Sequence, residues 1–186
     1  MAVFFTADTH FGHANVIKHC SRPFTSMEEM DNAMLQNWNI CVKERDDIYI
    51  IGDFCFRGSK DYAVQMLKQL NGRKHLITGN HDKKYLKDAK FTEQFAGIAD
   101  LMNLTVEGEK VVLCHYPMAE WDGYFRGSWH IYGHIHNSRN ETFEIMRTKE
   151  RALNAGVDIT NFFPVSFDEL KRCNEVFKMG ESGLVK

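Results

Sequence analysis

Residues 47–53, DIYIIGD, decide the fold. Three isoleucines and a tyrosine in a short run, closed by Gly52-Asp53, read as a buried strand with a carboxylate at its end. The same pattern recurs on either side. AVFFT (2–6) runs into Ala7-Asp8-Thr9-His10, and KHLIT (74–78) into Gly79-Asn80-His81-Asp82. Farther on, KVVLC (110–114) meets His115, and SWHIY (128–132) meets Gly133-His134-Ile135-His136.

Helical patterns separate the first three runs. Ser26 and Glu29 have capping-box spacing ahead of an apolar stripe, Met27, Met30, Met34 and Trp38. Ser59 is placed to cap a second helix carrying Tyr62, Ala63, Met66, Leu67 and Leu70, with Asn71-Gly72 as its stop. Strand, helix, strand, helix, strand predicts parallel βαβ units. Glu107-Gly108, between two β-rich runs, predicts a hairpin. Ser166 and Glu169 predict a capped C-terminal helix through about Phe177, and the tail from about residue 179 is expected to fray. The predicted fold class is α/β, with mixed β-sheets layered between helices, and residues 1–186 form a single domain.

The bulk numbers exclude several functions. An apolar share of 44%, a charged share of 26% and a net charge of −2 describe an ordinary globular chain without the basic stripe of an extended nucleic-acid surface. Local fields leave short or single-nucleotide substrates open. The five cysteines are scattered, with no CxxC pair, so buried thiols in the reducing cytoplasm are expected rather than disulfides or a zinc ribbon. The start of the chain has too short an apolar run for a signal peptide, and no stretch approaches a membrane span.

The polar residues collect at predicted strand ends, where open α/β sheets bind ligands. Five of the nine histidines lie in these clusters. Asp8 and His10, two apart, are expected to share a strand face, as are His134 and His136. Carboxylate with imidazole suits Mn²⁺, Fe or Zn²⁺ better than Ca²⁺. Asp53 has two oxygens and can bridge a pair of cations about 3.5–4 Å apart. With Asn80 as a carbonyl donor and His115, His134 and His136 as imidazole donors, these groups nearly fill two coordination spheres and leave positions for water and substrate.

DTH at 8–10, GD at 52–53, GNHD at 79–82, CH at 114–115 and GHIH at 133–136 resemble, in order, the five motifs of the calcineurin-like metallophosphoesterases. FTADTHFGHANVIKHCSRPF and LCHYPMAEWDGYFRGSWHIYGHIH further resemble a small bacterial and phage branch of that superfamily. The resemblance implies a β-sandwich with flanking helices and two divalent transition-metal ions, Mn²⁺ foremost, with Fe, Ni²⁺ or Zn²⁺ as alternatives. It implies that Asp8, His10, Asp53 and His136 hold one ion, and that Asp53, Asn80, His115 and His134 hold the other. It also implies that His81 assists the phosphate or the leaving group, with Asp82 orienting its ring. Cys114 departs from the glycine many members carry there; a neutral thiol is expected to do no more than crowd the strand end.

The implied activity is hydrolysis of small phosphomonoesters or diesters, nucleotides among them, by a hydroxide bridging the metals. A nuclease acting on short nucleic acid is a narrower reading, and a binding scaffold that keeps the fold is a rival from another class. His13 is a candidate to line the site, and Arg57 is the best placed of four candidate phosphate clamps, with Arg22, Arg126 and Arg139. His130 and His75 are expected to be packed and hydrogen-bonded. The aromatic run Trp121–Trp129 reads either as a lid that stacks on a nucleobase or as a loop packed on itself.

Overall fold

The structure is a computed structural model that describes residues 1–56 and 60–180. In chain order its elements are β1 (Val3–Thr6), α1 (Ala14–His19), α2 (Met27–Cys41), β2 (Asp47–Ile51), α3 (Lys60–Gln69), β3 (Arg73–Ile77), α4 (Ala89–Thr92) and β4 (Gly97–Ala99). They continue as β5 (Leu101–Val106), β6 (Glu109–Cys114), β7 (Trp129–Tyr132), α5 (Glu141–Arg147), β8 (Ala152–Asn154) and α6 (Phe167–Met179). Strands β1 to β4 make one sheet in sequence order, parallel throughout. Strands β5 to β8 make a second, in which only the β5–β6 pair is antiparallel. The expected mixed character is therefore confined to the second sheet.

The alternation within DIYII explains the layers. Ile48 and Ile50 pack with Met30, Met34, Trp38, Leu67 and Leu70 on the helical side of the first sheet. Ile51 packs on the opposite face, with Phe5, Ile77, Val111, Leu113 and Ile131, so it closes the space between the sheets. The second sheet turns Val112 and Tyr132 outward against Phe143, Met146 and Phe177 of α5 and α6. Each fully buried side chain of this size contributes roughly 1.5–3 kcal/mol. Both β2 faces are covered, which is why the run lacks polar alternation.

The capping signals were mostly accurate. Ser166 and Glu169 form the complete reciprocal box, and α6 extends to Met179 with Gly180 as a left-handed cap. Ser26 accepts from the Glu29 N–H, but the Glu29 carboxylate turns one residue farther back, to the Thr25 N–H at 2.7 Å. The β5–β6 turn has left-handed Glu107 and Gly108, as a two-residue hairpin requires. Ser59 and most of the expected frayed tail, residues 181–186, lie outside the described residues. No periodic signal in the sequence marks α1, α4, β4, α5 or β8, each at most seven residues long. Among the described residues no helix is long and apolar enough to cross a membrane.

One polar side chain ties the last helix to the site. Asn174 of α6 is buried; it accepts from the Asn154 N–H at 2.7 Å and donates to the Asn154 carbonyl at 2.9 Å. It thus supplies the partner that edge strand β8 otherwise lacks there. Asn154 in turn donates to the His136 carbonyl at 2.8 Å. Asn174→Ala leaves a buried N–H and C=O unpaired and is expected to cost about 2–3 kcal/mol, measured as a lower midpoint in urea unfolding.

Candidate metal centre

Asp8, Asp53, Asn80, His115, His134 and His136 all follow strand ends, but the pleat does not aim them. β1 stops at Thr6 and β7 at Tyr132, so Asp8, His10, His134 and His136 lie beyond their strands, and the shared-face reading is corrected. The backbone is left-handed instead, with φ of 56° at Asp8, 52° at His10, 54° at Asp53, 72° at His134 and 52° at His136. That conformation costs on the order of 1 kcal/mol for a residue with a side chain, though Asp and His tolerate it better than branched residues. Backbone bonds hold it. Asp8 N–H donates to the Gly52 carbonyl and His10 N–H to the Asp53 carbonyl, both at 3.0 Å, extending the β1–β2 contact past the strands. His134 N–H donates to Asp8 Oδ2 at 2.8 Å, locking the second sheet's loop onto the first.

The glycines in the motifs make room for this convergence. A Cβ on Gly79 would lie 2.2 Å from Asp53 Oδ1, and one on Gly52 would lie 2.3 Å from His115 Nδ1. Only glycine permits the acid and the imidazole to approach so closely to backbone.

The side chains then face one another at distances that hydrogen bonds do not explain. Asp53 Oδ2 lies 3.7 Å from His10 Nε2, 3.8 Å from His81 Nε2 and 3.5 Å from His115 Nε2. Both His10 nitrogens and Asp8 Oδ1 are buried without a hydrogen-bond partner. His115 Nδ1 donates to the Ile51 carbonyl at 2.9 Å, which leaves Nε2 with a lone pair. That lone pair faces Asn80 Oδ1 at 3.1 Å, and His134 Nδ1 lies 3.1 Å from the same oxygen. Buried orphans such as those of His10 and Asp8 are costly without a cation between them. Asp8, His10 and His136 converge closely enough to hold one, and so do Asp8, Asp53 and His115. Asp8 is common to both groups, and Asp53 Oδ2 faces His10 of the first and His115 of the second.

Burial, and then the neighbouring charges of His136 and Arg22, hold the His10 imidazole well below its ordinary range, so it is neutral and able to donate its lone pair. Burial pushes Asp8 up to about 6. Burial also opposes a charge on His136, but hydrogen bonds to Asp158 and Cys20 and the charges of Asp8 and Asp158 outweigh it and raise the ring to about 11.

Several residues act otherwise than expected. Asp82 does not orient the His81 ring: its oxygens accept from the N–H groups of Asp53 at 2.8 Å, Phe54 at 3.0 Å and Gly79 at 2.9 Å. It is a positioning residue that clamps two ligand loops together. His81 stands at the rim, about a third exposed, with its N–H donating to Asp53 Oδ1 at 2.9 Å. His13 does approach the centre, its ring 5.3 Å from His10 and stacked on Phe56 at 3.8 Å. Arg22 is not a phosphate clamp. It is buried and donates to Asp158 Oδ1 at 2.7 Å, to the Asp8 carbonyl at 2.7 Å and to the Thr9 carbonyl at 3.0 Å. Arg126 pairs with Asp122, Arg139 bonds the Phe177 carbonyl, and Arg57 lies outside the described residues.

Asp158 was missed altogether. Its Oδ2 lies 2.8 Å from His136 Nδ1, fixing that ring so that Nε2 faces Asp8 and His10. The available signal was a lone carboxylate soon after ALN (152–154), a run too short to read as a strand. The aromatic loop resolves toward self-packing: Trp121 is buried against Tyr124 and His130, and its Nε1 donates to the Ser128 carbonyl. His130 is packed and bonded as expected, to the Val112 carbonyl and the Met118 N–H, and His75 bonds Asp47. Cys114 is half-buried, and burial raises its thiol, so it stays neutral.

A two-sheet α/β layer with Asp and His side chains meeting at strand ends defines a metal-dependent phosphoesterase type of protein. The family model of the calcineurin-like phosphoesterase superfamily domain matches residues 1–158, and the chain belongs to that superfamily. It is 35% identical to an uncharacterised protein of Methanocaldococcus jannaschii over 95% of this chain and 93% of that one. It is 26% identical to the Gene 66 protein of Mycobacterium phage D29, over 84% of this chain and 87% of the relative. A solved protein of unknown function from Aquifex aeolicus superposes with a TM-score of 0.71 at 27% identity, over 91% of this chain and 97% of the other.

Gly79→Ala drives a methyl into Asp53. It is expected to lower Mn²⁺ affinity by about 10–100-fold, the usual loss when ligand-orienting groups are disturbed, read by titration calorimetry.

Proposed function

We propose that this chain, working as one domain in the cytoplasm, hydrolyses small phosphoesters, diesters and nucleotides among them, with two divalent transition-metal ions. The observation that carries the reading is Asp53 Oδ2, within 3.8 Å of three imidazole nitrogens beside the orphaned His10 ring. Asp8, His10, Asp53 and His136 hold one ion, and Asp53, Asn80, His115 and His134 the other. This oxygen-and-imidazole donor set suits Mn²⁺ and also Fe, Ni²⁺ and Zn²⁺. Bound there, such ions supply Lewis acidity toward the phosphoryl oxygens and a water acidified toward neutral pH.

The chain's own residues do the rest. His81, at the exposed rim, hydrogen-bonds a phosphoryl oxygen or the departing oxygen. Asp82 keeps the Asp53 and Gly79 loops in register, so Asp53 Oδ2 stays aimed at the centre while Oδ1 accepts from the His81 N–H. Asp158 and Ile51 fix the His136 and His115 rings. A binding scaffold on the same fold has no need of five donors held left-handed, three of them, Asp8, His10 and Asp53, buried. Their presence together favours the enzyme.

Asp53→Asn is expected to abolish Mn²⁺-dependent turnover of aryl phosphate esters; undiminished activity in that variant would sink the proposal. His136→Ala should weaken one ion far more than the other in a metal titration, and equal loss of both would count against the division of ligands.

A further inference from the structure

Two exposed side chains flank the centre and take no part in it. On one side Tyr116, 42% exposed, stands 4.8 Å from the His134 ring and 5.2 Å from His115, centroid to centroid. On the other side the Phe56 ring lies 4.4 Å from His81, and Lys84 Nζ sits 5.3 Å from the Phe56 ring. The rim therefore runs from an aromatic ring, past His134, Asn80 and His81, to a cation. Lys84 is not alone. Lys83, Lys87 and Lys90 are exposed on the same short stretch, 83–90, which holds a single acidic residue, Asp88. In a chain of net charge −2 this is a local concentration of positive charge, and Lys84 brings it to the Phe56–His81 rim.

A ring and a lysine on opposite flanks of a phosphoester site recognise different parts of one molecule. An aromatic ring stacks on any base, and a lysine pairs with a phosphate as a point charge. A lone phosphomonoester could use at most one of the two. Long duplexes need a wide basic face, which the overall charge balance does not provide.

Resting on the phosphoesterase reading, we infer that the substrate is a short single-stranded oligonucleotide, cut at a diester whose neighbouring base stacks on Tyr116 and whose neighbouring phosphate pairs with Lys84. Water supplies the oxygen of the new P–O bond. The bond to the departing sugar oxygen breaks, and that oxygen takes up a proton, giving a phosphomonoester and an alcohol.

The test uses the full chain with Mn²⁺ on three substrates: bis(p-nitrophenyl) phosphate, a thymidine dinucleotide, and the same dinucleotide with a 5′-phosphate. The phosphorylated dinucleotide should be favoured over the plain one by about tenfold in kcat/KM, and added salt should erode the preference. Lys84→Ala should abolish the preference, whereas Lys68→Ala, an exposed lysine in the last turn of α3, should keep it. Tyr116→Leu should raise KM for both dinucleotides by about tenfold, and Tyr116→Phe, which retains a stacking ring, should restore it. Hydrolysis of the aryl diester without any preference for the 5′-phosphate, or equal losses on all three substrates in Lys84→Ala, overturns this inference and leaves the phosphoesterase reading standing. No hydrolysis of any of the three overturns both.

Discussion

The buried pair of Arg22 and Asp158 holds the centre together. The two side chains are almost wholly inaccessible, and the guanidinium also reaches the carbonyls of Asp8 and Thr9. One carboxylate thus meets the arginine and the His136 ring at once. Removing one partner of such a pair strands a charge in a dry interior, typically at 3–5 kcal/mol. The pair fixes the first loop, the segment between α1 and α2, and the loops after β7 and β8 in a single arrangement. The metal-type side chains are merely the parts of those loops that face inward.

The centre so fixed is electrostatically uneasy. It combines a carboxylate raised by burial, an imidazole held neutral, acceptors facing acceptors, and five residues in left-handed backbone. Set against the 5–15 kcal/mol by which domains are usually stable, this is a considerable load. The double layer of sheets and helices has to carry it. That is consistent with sheets whose buried faces are mostly apolar, and with loops zipped by backbone hydrogen bonds right up to Asp8 and His10.

Much of this was legible. DIYII, AVFFT and KHLIT announced parallel strands because both faces are buried, and Ser166 with Glu169 announced the last helix because a capping box is a local device. The residues that gather at the centre were legible as well, although for Asp8, His10, His134 and His136 left-handed backbone beyond the strands, rather than the strand pleat, brings them together. Left-handed φ at Asp or His leaves no mark in a single sequence. Asp82, Arg22 and Asp158 were harder to read because each has a partner far along the chain, Phe54 for Asp82 at 28 residues and the Arg22–Asp158 pair at 136. Nothing local distinguishes a carboxylate that clamps backbone from one that binds an ion. Short elements such as β4, β8 and α4 exist because of their neighbours, and three or four residues cannot declare a period.

The hydrogen bond from His134 N–H to Asp8 Oδ2 links residues 126 positions apart, and the bond from Arg22 to Asp158 spans 136. Contacts of such range form only after most loop-closure entropy has been surrendered. The cradle is therefore complete only where both sheets meet, and any ion it took would report on the joining of the first strand's loop to those of the last strands.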